Sequence, residues 1–500
     1  MNSPLQFKFP AGLTVDQFIA QFRDEIGSQR LTRQRRLKTY YDTFDGRLFA
    51  NGIICEFVSA KLSLKSLENN SVIASTKLDE VPKFSQQFES EKVRQPLESI
   101  MEMRALLPVC KLAYQSCQFT IINEDKKIML RVALEVHEQI KPRVFLQTIK
   151  GYEKTAAEAI DKLTQLGLIS TTKPILLALL KQQGLKINDY SSKLVISLNP
   201  ETQADIAVKI IYKQLLKTIK ANEQGTIADI DSEFLHDFRV AVRRTRAALS
   251  QLKKALPAKV TAHYAEYFAW LGKITSETRD MDVYLLNFDS LKKSLPEEMR
   301  EHLNPLHDFL CEKQQQAQQE LAKKLGSDEY IATLSEWELY LKESEPDTKK
   351  QLTIKQLADK TLRKSFKRVL SEGTAITEQS PCEDLHELRK SCKKLRYLLE
   401  FFQSLYDKNK MMILLKSLKK LQEILGDHQD CAVQKSNLAL FSAEMRDRNT
   451  PEETFLAIEQ LIQSIDARRL YCRNHFALVF AEFTQQETLN TFKSLFDKTV

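Results

Sequence analysis

HDFRVAVRRTRAALSQL, residues 236–252, returns 150 positions later as HELRKSCKKLRYLLEFF, residues 386–402. The same offset, without a gap, aligns LGKITSETRDMDV from Leu271 with LQEILGDHQDCAV from Leu421 and matches Asp280 to Asp430. Both copies repeat apolar residues at the spacing of an amphipathic helix. The sequence therefore predicts a duplicated helical unit, with repeats at about residues 205–345 and 355–500.

Each copy carries basic residues on one helix face and apolar residues on the other. On a helical wheel, Arg239, Arg243 and Arg246 fall within about 80° of His236. The second copy preserves this basic stripe while its apolar backing changes, and the stripe consists there of His386, Arg389, Lys393 and Arg396. Like charges on adjacent turns repel one another, and a partner with closely spaced negative charge relieves that cost. Arginine, lysine and histidine all bind phosphate oxygens, so the stripes predict a polyanion site.

Further basic residues extend the predicted polyanion site, and a structural role of the stripes stays open as an alternative. Arg244 and Lys394 lie beside the stripes, on another part of each helix. On the preceding helices the offset pairs Lys213 with Arg363 and Lys217 with Lys367, which is weaker evidence for a wider basic surface. The alternative is structural: a solvated basic face, or an ion-pair network with acids such as Asp280 and Asp430, which we expect to orient basic residues or cap a helix.

The histidines do not predict a metal centre. Neither His236 nor His386 has a histidine, cysteine or carboxylate three or four residues later, the spacing that would complete a site on a helix. His302 and His307 are five residues apart, which also fails. We therefore expect no metal and no cofactor.

Composition indicates a protein of two or three domains. The chain has 500 residues, of which 28% are charged, and a formal net charge of +8. The surplus of basic residues lies before residue 200, so the basic stripes matter as segregated charge. The eight cysteines form no CxxC pair, and we find no secretory leader and no apolar run long enough for a membrane. We expect a cytoplasmic protein.

The first part of the chain has a different pattern from the repeats. Short alternating runs separated by turns predict strands up to about Leu198, with helices near residues 14–25 and 155–166. After Asn199–Pro200 the strand pattern gives way to long amphipathic helices. The predicted domains are residues 1–198, an α+β domain with an antiparallel sheet, and residues 199–500, an all-α domain.

The repeated motifs resemble the CHAD family, a helical domain named for its histidines. HDFRVAVRRTRAAL, HELRKSCKKLRYLLEFF and LKKLQEILGDHQD carry this resemblance, which covers about residues 200–500. It implies two pseudo-symmetric helical bundles around a basic channel that binds inorganic polyphosphate without catalysis. By the same resemblance, the residues that contact phosphate are His236, Arg239, Arg243, Arg244, Arg246, His386, Arg389, Lys393, Lys394 and Arg396. The repeat offset adds Lys213, Lys217, Arg363 and Lys367 as a weaker extension of the predicted polyphosphate site.

The first domain is similar to a divergent CYTH domain, an antiparallel β tunnel or barrel that binds triphosphate. TYYDTFDGRLFANGI and KLSLK carry this fainter resemblance. The sequence departs from the family at the acids that would hold Mg²⁺ or Mn²⁺: Pro4 and Gln6 precede Lys8, and Leu146 and Thr148 precede Lys150. Glu56 and Val58 stand where an arginine pair is expected.

These departures predict that the first domain has no triphosphatase activity. Some phosphate affinity at basic residues of the tunnel stays an open alternative to a purely structural role, and those residues are Lys8, Lys65, Lys77, Arg131 and Lys150.

The leading hypothesis is therefore a two-domain protein that binds inorganic polyphosphate, with association to polyphosphate granules left open. The alternatives are triphosphatase or polyphosphatase activity in the first domain, and binding of another polyanion such as nucleic acid. We do not expect specific nucleic-acid binding, because the basic stripes carry few aromatic residues for base stacking.

Overall fold

The computed structural model describes residues 5–26, 28–138, 140–187, 189–343 and 352–496. The chain divides into two compact units, Met1–Ser191 and Ser192–Val500. The segment 192–198, which the sequence analysis gives to the first domain, belongs to the second unit. Leu194, Ile196 and Leu198 are buried in the core of that unit, and this burial explains the earlier boundary.

The first unit is α+β, as predicted. Its strands form one open antiparallel sheet in the order β5-β4-β3-β2-β6-β7-β8-β1-β9. The strands are β1 (Leu5–Lys8), β2 (Ser28–Asp42), β3 (Ile53–Val58), β4 (Lys61–Ser66), β5 (Val72–Lys77), β6 (Leu107–Ile122), β7 (Ile128–His137), β8 (Arg143–Thr148) and β9 (Ile169–Ser170). The helices are α1 (Val15–Ile26), α2 (Arg47–Ala50), α3 (Glu91–Met101), α4 (Glu153–Gln165) and α5 (Ile175–Gln183).

The two faces of the sheet differ in chemistry. One face packs against α1 and α4, and its core includes Phe7, Val132, Val144 and Leu146. Because side chains alternate along a strand, the intervening residues lie on the other face. Cross-strand register places Gln6, Lys8, Lys38, Glu56, Lys65, Glu135, His137 and Arg143 on this second face. We call it the polar face.

The elements of regular secondary structure in the described part of the second unit are helices. The first repeat contains α6 (Ala204–Ile227), α7 (Ser232–Gln251), α8 (Ala258–Ile274), α9 (Ser276–Leu286), α10 (Phe288–Lys293), α11 (Asn304–Leu325) and α12 (Asp328–Lys342). The second contains α13 (Ile354–Ala375), α14 (Cys382–Phe402), α15 (Lys408–Met445), α16 (Glu452–Phe483) and α17 (Gln486–Phe496). In the part of the chain that is described, none of the helices combines the length and apolar composition of a membrane span.

The duplication seen in the sequence is present in the structure. Helices α13, α14 and α15 begin 150 residues after α6, α7 and α8. The starts of α6 and α13 pair reciprocally: the Ala204 N–H donates to the Leu352 carbonyl at 3.0 Å, and the Ile354 N–H donates to the Thr202 carbonyl at 2.8 Å. Apolar residues of both repeats share one core, so the repeats fold as one unit.

Candidate functional site

Helices α7 and α14 place the predicted stripes on a common cavity. Asp231 caps α7 by accepting hydrogen bonds from the N–H groups of Glu233 and Phe234, and Phe238 and Val242 anchor its buried face. The cavity encloses about 1090 Å³ between α7, α9, α14 and α15. Six predicted residues line it at matching positions of the two repeats: His236, Arg239, Arg243, His386, Arg389 and Lys393. We call it the central cavity.

Arg239 is held by neutral groups. Its Nη1 donates to the hydroxyl of Thr275 at 2.8 Å and to that of Ser276 at 3.2 Å, where α8 ends and α9 begins. Burial lowers the pKa of Arg239 to about 10, against the attraction of Asp280. The guanidinium is therefore oriented by hydroxyls, and it lies in an environment that disfavours its charge.

Arg389, the counterpart of Arg239, is held by a carboxylate. Its Nη2 donates to Asp430 Oδ1 at 3.0 Å. The residues that correspond to Thr275 and Ser276 are Leu425 and Gly426, which have no hydroxyl, and α15 runs through this point without a break. The Nε of Arg389 has no hydrogen-bond partner in the described structure.

The two histidines have partners at matching positions of the repeats, but one partner donates a hydrogen bond and the other accepts one. Arg279 Nη2 donates to His236 Nδ1 at 3.1 Å, so that nitrogen accepts. His386 Nδ1 lies 2.8 Å from Gln429 Oε1, and because an amide oxygen accepts, the histidine donates this hydrogen bond. Neutral His236 thus carries its proton on Nε2, whereas His386 gains an Nε2–H only by protonation.

Arg243 and Lys393 also occupy matching positions. The Nε of Arg243 donates to the Tyr397 hydroxyl at 2.8 Å, whereas the residue that corresponds to Tyr397 is Ala247. Burial, with the repulsion of Arg389 and Arg243, lowers the pKa of Lys393 to about 8. A bound anion would favour the charged form of Lys393.

The cavity has an excess of positive charge. Its described lining holds six arginine or lysine residues, two histidines and three aspartates, Asp280, Asp427 and Asp430. Asp430 pairs with Arg389, and Asp427 pairs with Arg468 at 2.8 Å. Burial raises the pKa of Asp280, although Arg239 and Arg279 lower it. Histidine, cysteine and carboxylate side chains form no metal-binding group in the residues described.

Other predicted residues lie elsewhere in the second unit. Arg244 pairs with Glu400 at 2.9 Å, and Lys394 lines a different cavity, because each projects from another side of its helix. Arg246 and Arg396 are exposed, and Arg396 pairs with Glu400 at 2.8 Å. The weaker extension does not line the central cavity: Lys213, Lys217 and Lys367 are exposed, and Arg363 donates to the Asp359 carbonyl at 3.2 Å.

Several residues of the cavity escaped the sequence analysis. Arg279, Gln429, Asp427 and Arg468 line it but were not singled out. Arg279 and Gln429 correspond at the repeat offset and precede Asp280 and Asp430, so the alignment contained a signal for them. Arg468 gave no comparable signal, since its helix reaches the cavity only through tertiary packing.

In the first unit, the polar face carries an ion-pair network. Lys38 Nζ donates to both carboxylate oxygens of Glu135, at 3.2 and 3.1 Å, and lies 3.6 Å from Glu56. Lys65 Nζ donates to Glu56 at 2.5 Å. Burial opposes the charge of Glu56, but Lys38 and Lys65 lower its pKa to about 2. Burial, with Lys38 and Arg143 nearby, lowers the pKa of His137 to about 3.

The structure corrects which residues of β8 share a face with Gln6 and Lys8. These two pair with Phe145 and Arg143, whereas Leu146 is buried in the opposite core and Thr148 is exposed. Glu56 and Glu135 are carboxylates on the polar face, and Glu135 was not anticipated. Of the tunnel cations proposed from sequence, Lys8 and Lys65 are half-buried, and the exposed ones are Lys77, Arg131 and Lys150.

Helix α5 covers part of the polar face. Its residues Ile175, Leu176, Leu179 and Leu180 share a buried cluster with Tyr40, Ile54, Cys110 and Leu112 of the sheet. Gln6 is also engaged: its Nε2 donates to the Lys173 carbonyl at 3.3 Å, and its Oε1 accepts from Asn70 at 3.2 Å. The open antiparallel sheet fits the CYTH-like fold predicted from sequence.

One family model matches most of the second unit. Residues 210–439 match the family model of the CHAD domain. The CHAD domain from the plant Ricinus communis is 23% identical, with a TM-score of 0.43, and the match covers 60% of this chain and 94% of that one. PptA from Streptomyces chartreusis is 15% identical, with a TM-score of 0.45 and coverage of 56% and 99%.

A third similar structure is HpAC1 from Hippeastrum, described as having a dominant triphosphatase activity. It is 13% identical, with a TM-score of 0.27, and the match covers 38% of this chain and 100% of that one. No curated protein matches the sequence. With its duplicated helices and with residues 210–439 matching the family, the second unit contains a CHAD domain.

Proposed function

We propose that the central cavity binds inorganic polyphosphate and carries out no chemistry on it. The observation that supports this most is the convergence of Arg239, Arg243, Arg389 and Lys393 from two repeats on one cavity. Guanidinium groups bind phosphate oxygens bidentately, and a linear polyphosphate presents such oxygens at every unit of the chain.

The environment of these cations favours an anionic ligand. In the residues described, no ion pair involves Arg239, Arg243, Arg279 or Lys393, although all four line the cavity. Burial lowers the pKa values of Arg239 and Lys393, so their charged forms are destabilised in the free protein. A polyanion supplies the missing negative charge, and binding lowers the free energy of the folded state.

Binding of long-chain polyphosphate across a salt series tests this proposal. The Arg239→Glu/Arg389→Glu variant should bind at least about 30-fold more weakly, because losing one partner of a buried charged contact costs roughly 2–5 kcal/mol. The wild-type affinity should fall steeply with salt, since binding releases condensed counterions. Equal binding by both proteins would refute the site.

A matched control separates a local effect from a change in net charge. Lys323→Glu/Lys324→Glu makes the same charge change on α11, where both lysines are exposed and line neither cavity. This control should bind like the wild type, and circular dichroism should show that every variant is folded. Competition with single-stranded RNA tests the other polyanion: equal affinity for RNA would favour a general polyanion site.

We further propose that the first unit is not a triphosphatase. Glu56 and Glu135, carboxylates that could hold a divalent cation on the polar face, are engaged by Lys38 and Lys65. In an assay with triphosphate and Mg²⁺ or Mn²⁺, the wild-type protein should release no more phosphate than a Glu56→Gln/Glu135→Gln variant. Release at ordinary enzymatic rates that this variant loses would overturn the proposal.

A further inference from the structure

A second basic cavity lies between the end of α7 and helices α13 and α14. It encloses about 480 Å³, and its described lining contains no carboxylate. The basic residues of the lining are Lys253, Lys254, Lys360, Lys364, Arg368 and Lys394. Among the ion pairs of the described residues, only one involves this set, between Arg368 and Glu372 at 2.6 Å. Five of these six cations therefore have no ion pair among the described residues, and like charges this close together repel one another.

Hydroxyl groups accompany these cations. Ser250, Thr361, Ser365 and Ser391 belong to the lining. Ser391 is only 3% exposed, and its hydroxyl oxygen has no hydrogen-bond partner in the described structure. A buried hydroxyl without a partner loses the free energy of its hydration, and a ligand oxygen in the cavity would restore the hydrogen bond.

The equivalent positions in the other half of the duplication contain a cation that is neutralised by a carboxylate. Lys394 corresponds to Arg244, and Ser250 corresponds to Glu400, each at the repeat offset. Arg244 donates to Glu400 at 2.9 Å, and both side chains are nearly buried. The second cavity has a serine where that carboxylate would stand, so Lys394 lacks the acid that its counterpart has.

The segment 192–198 also differs between the two halves, because it packs beside the Arg244–Glu400 pair. Arg244 also donates to the Ser192 carbonyl at 3.1 Å, and Gln403 donates to the Leu194 carbonyl at 3.3 Å. The Leu198 N–H donates to the Ser404 hydroxyl at 3.1 Å. In this half, backbone groups and a carboxylate fill the place that is a cavity in the other half.

We propose that the second cavity is a separate binding site for closely spaced phosphate groups. Lys360, Lys364 and Arg368 lie one turn apart on α13 and face Lys394 on α14 across the cavity. Ammonium, guanidinium and hydroxyl donors together suit phosphate oxygens. The described lining has no aromatic residue on which a base could stack, which favours a phosphate chain over a nucleic acid. Lys393 and Lys394 thus serve different cavities on the two sides of α14.

Calorimetric titration of the full chain with inorganic triphosphate tests this site. Wild-type protein should bind two triphosphates, and Lys364→Gln/Lys394→Gln should bind one. Arg239→Glu/Arg389→Glu should also bind one, at the second cavity. An unchanged stoichiometry and affinity in the lysine variant, for both triphosphate and long-chain polyphosphate, would overturn the second site.

Ser250→Glu gives an independent test, because it introduces at position 250 the carboxylate that the corresponding residue, Glu400, has in the other half. This variant should lose second-site binding by about tenfold or more, whereas the uncharged Ser250→Gln should retain it. Equal binding by these two variants would contradict the proposal. Ser250 is exposed, so neither change disturbs the core.

The same variants show whether the second cavity binds a short ligand or part of a polymer, and whether the proposal for the central cavity holds. Loss of triphosphate binding in the lysine variant identifies a site that a short ligand fills, and loss confined to long-chain polyphosphate identifies a site for one part of a polymer. Failure of the central proposal is distinguishable: Arg239→Glu/Arg389→Glu would then bind like the wild type, while the lysine variant would still lose a site.

Discussion

The two repeats of the helical unit carry equivalent cations but hold them differently. In the first repeat, hydroxyl groups at the break between α8 and α9 orient Arg239, while Glu400 neutralises Arg244. In the second repeat, Asp430 engages Arg389, while Lys394 lies in a cavity without a carboxylate. The repeats therefore provide equivalent positions, and the residues that differ between them decide which cations are neutralised within the protein.

The largest expected effect comes from removing the carboxylate that only one half possesses. Glu400→Ser leaves Arg244 without its acid, and Arg396 loses the same partner. Because both members of the Arg244 pair are nearly buried, we expect the free energy of unfolding to fall by about 3 kcal/mol. Urea denaturation measures this loss.

The corresponding change in the other half serves as the control. Ser250→Ala removes the exposed residue that corresponds to Glu400, and it should change stability by less than about 0.5 kcal/mol. Equal destabilisation by the two changes would show that the Arg244 pair contributes nothing specific.

The next effect concerns the two arginines of the central cavity. Arg239→Gln should weaken polyphosphate binding by about 10-fold to 150-fold, because a hydrogen bond to a charged group contributes roughly 1.5–3 kcal/mol. Arg389→Gln/Asp430→Asn removes a pair that is already neutralised, so it should cost less affinity. Fluorescence titration with polyphosphate measures both, and a greater loss in the second variant would contradict this difference between the repeats.

The smallest effect is a pH dependence of polyphosphate binding that comes from Lys393 in the second repeat. The pKa of Lys393 is lowered to about 8, so its charge is lost as pH rises through that value. An anion binds the protonated form, and polyphosphate affinity should fall by a few fold from pH 7 to pH 9. Affinity measured over this range should become flatter in Lys393→Gln.

Lys393→Arg provides the matched variant, because arginine occupies the corresponding position 243 in the first repeat. A guanidinium stays protonated across this range, so the variant should also lose the decline in affinity. A decline that persists in both variants would assign the pH dependence to another group.

Much of the architecture was readable from particular residues. The offset between His236 and His386 predicted the duplication, and alternating runs before residue 198 predicted the antiparallel sheet of the first unit. The helical wheel separated Arg239 and Arg243, which line the central cavity, from Arg244, because side-chain direction on a helix follows from residue spacing. It also placed Arg246 on the same stripe, and Arg246 lies outside the described lining. The basic residues at 213, 217, 363 and 367 lie outside the described lining of the central cavity, and a repeat offset does not report which way a helix turns its charged face.

The sequence fixes the periodicity of each helix and strand, and therefore the residues that share a face, because these follow from local backbone geometry. It also determines the correspondence between the repeats, down to Ser250 against Glu400. Tertiary packing alone brought Arg468 to the central cavity, placed α5 on the polar face and joined Lys38 to Glu135. Contacts between distant segments depend on how helices and strands pack, and hence on the whole core, which no local pattern encodes.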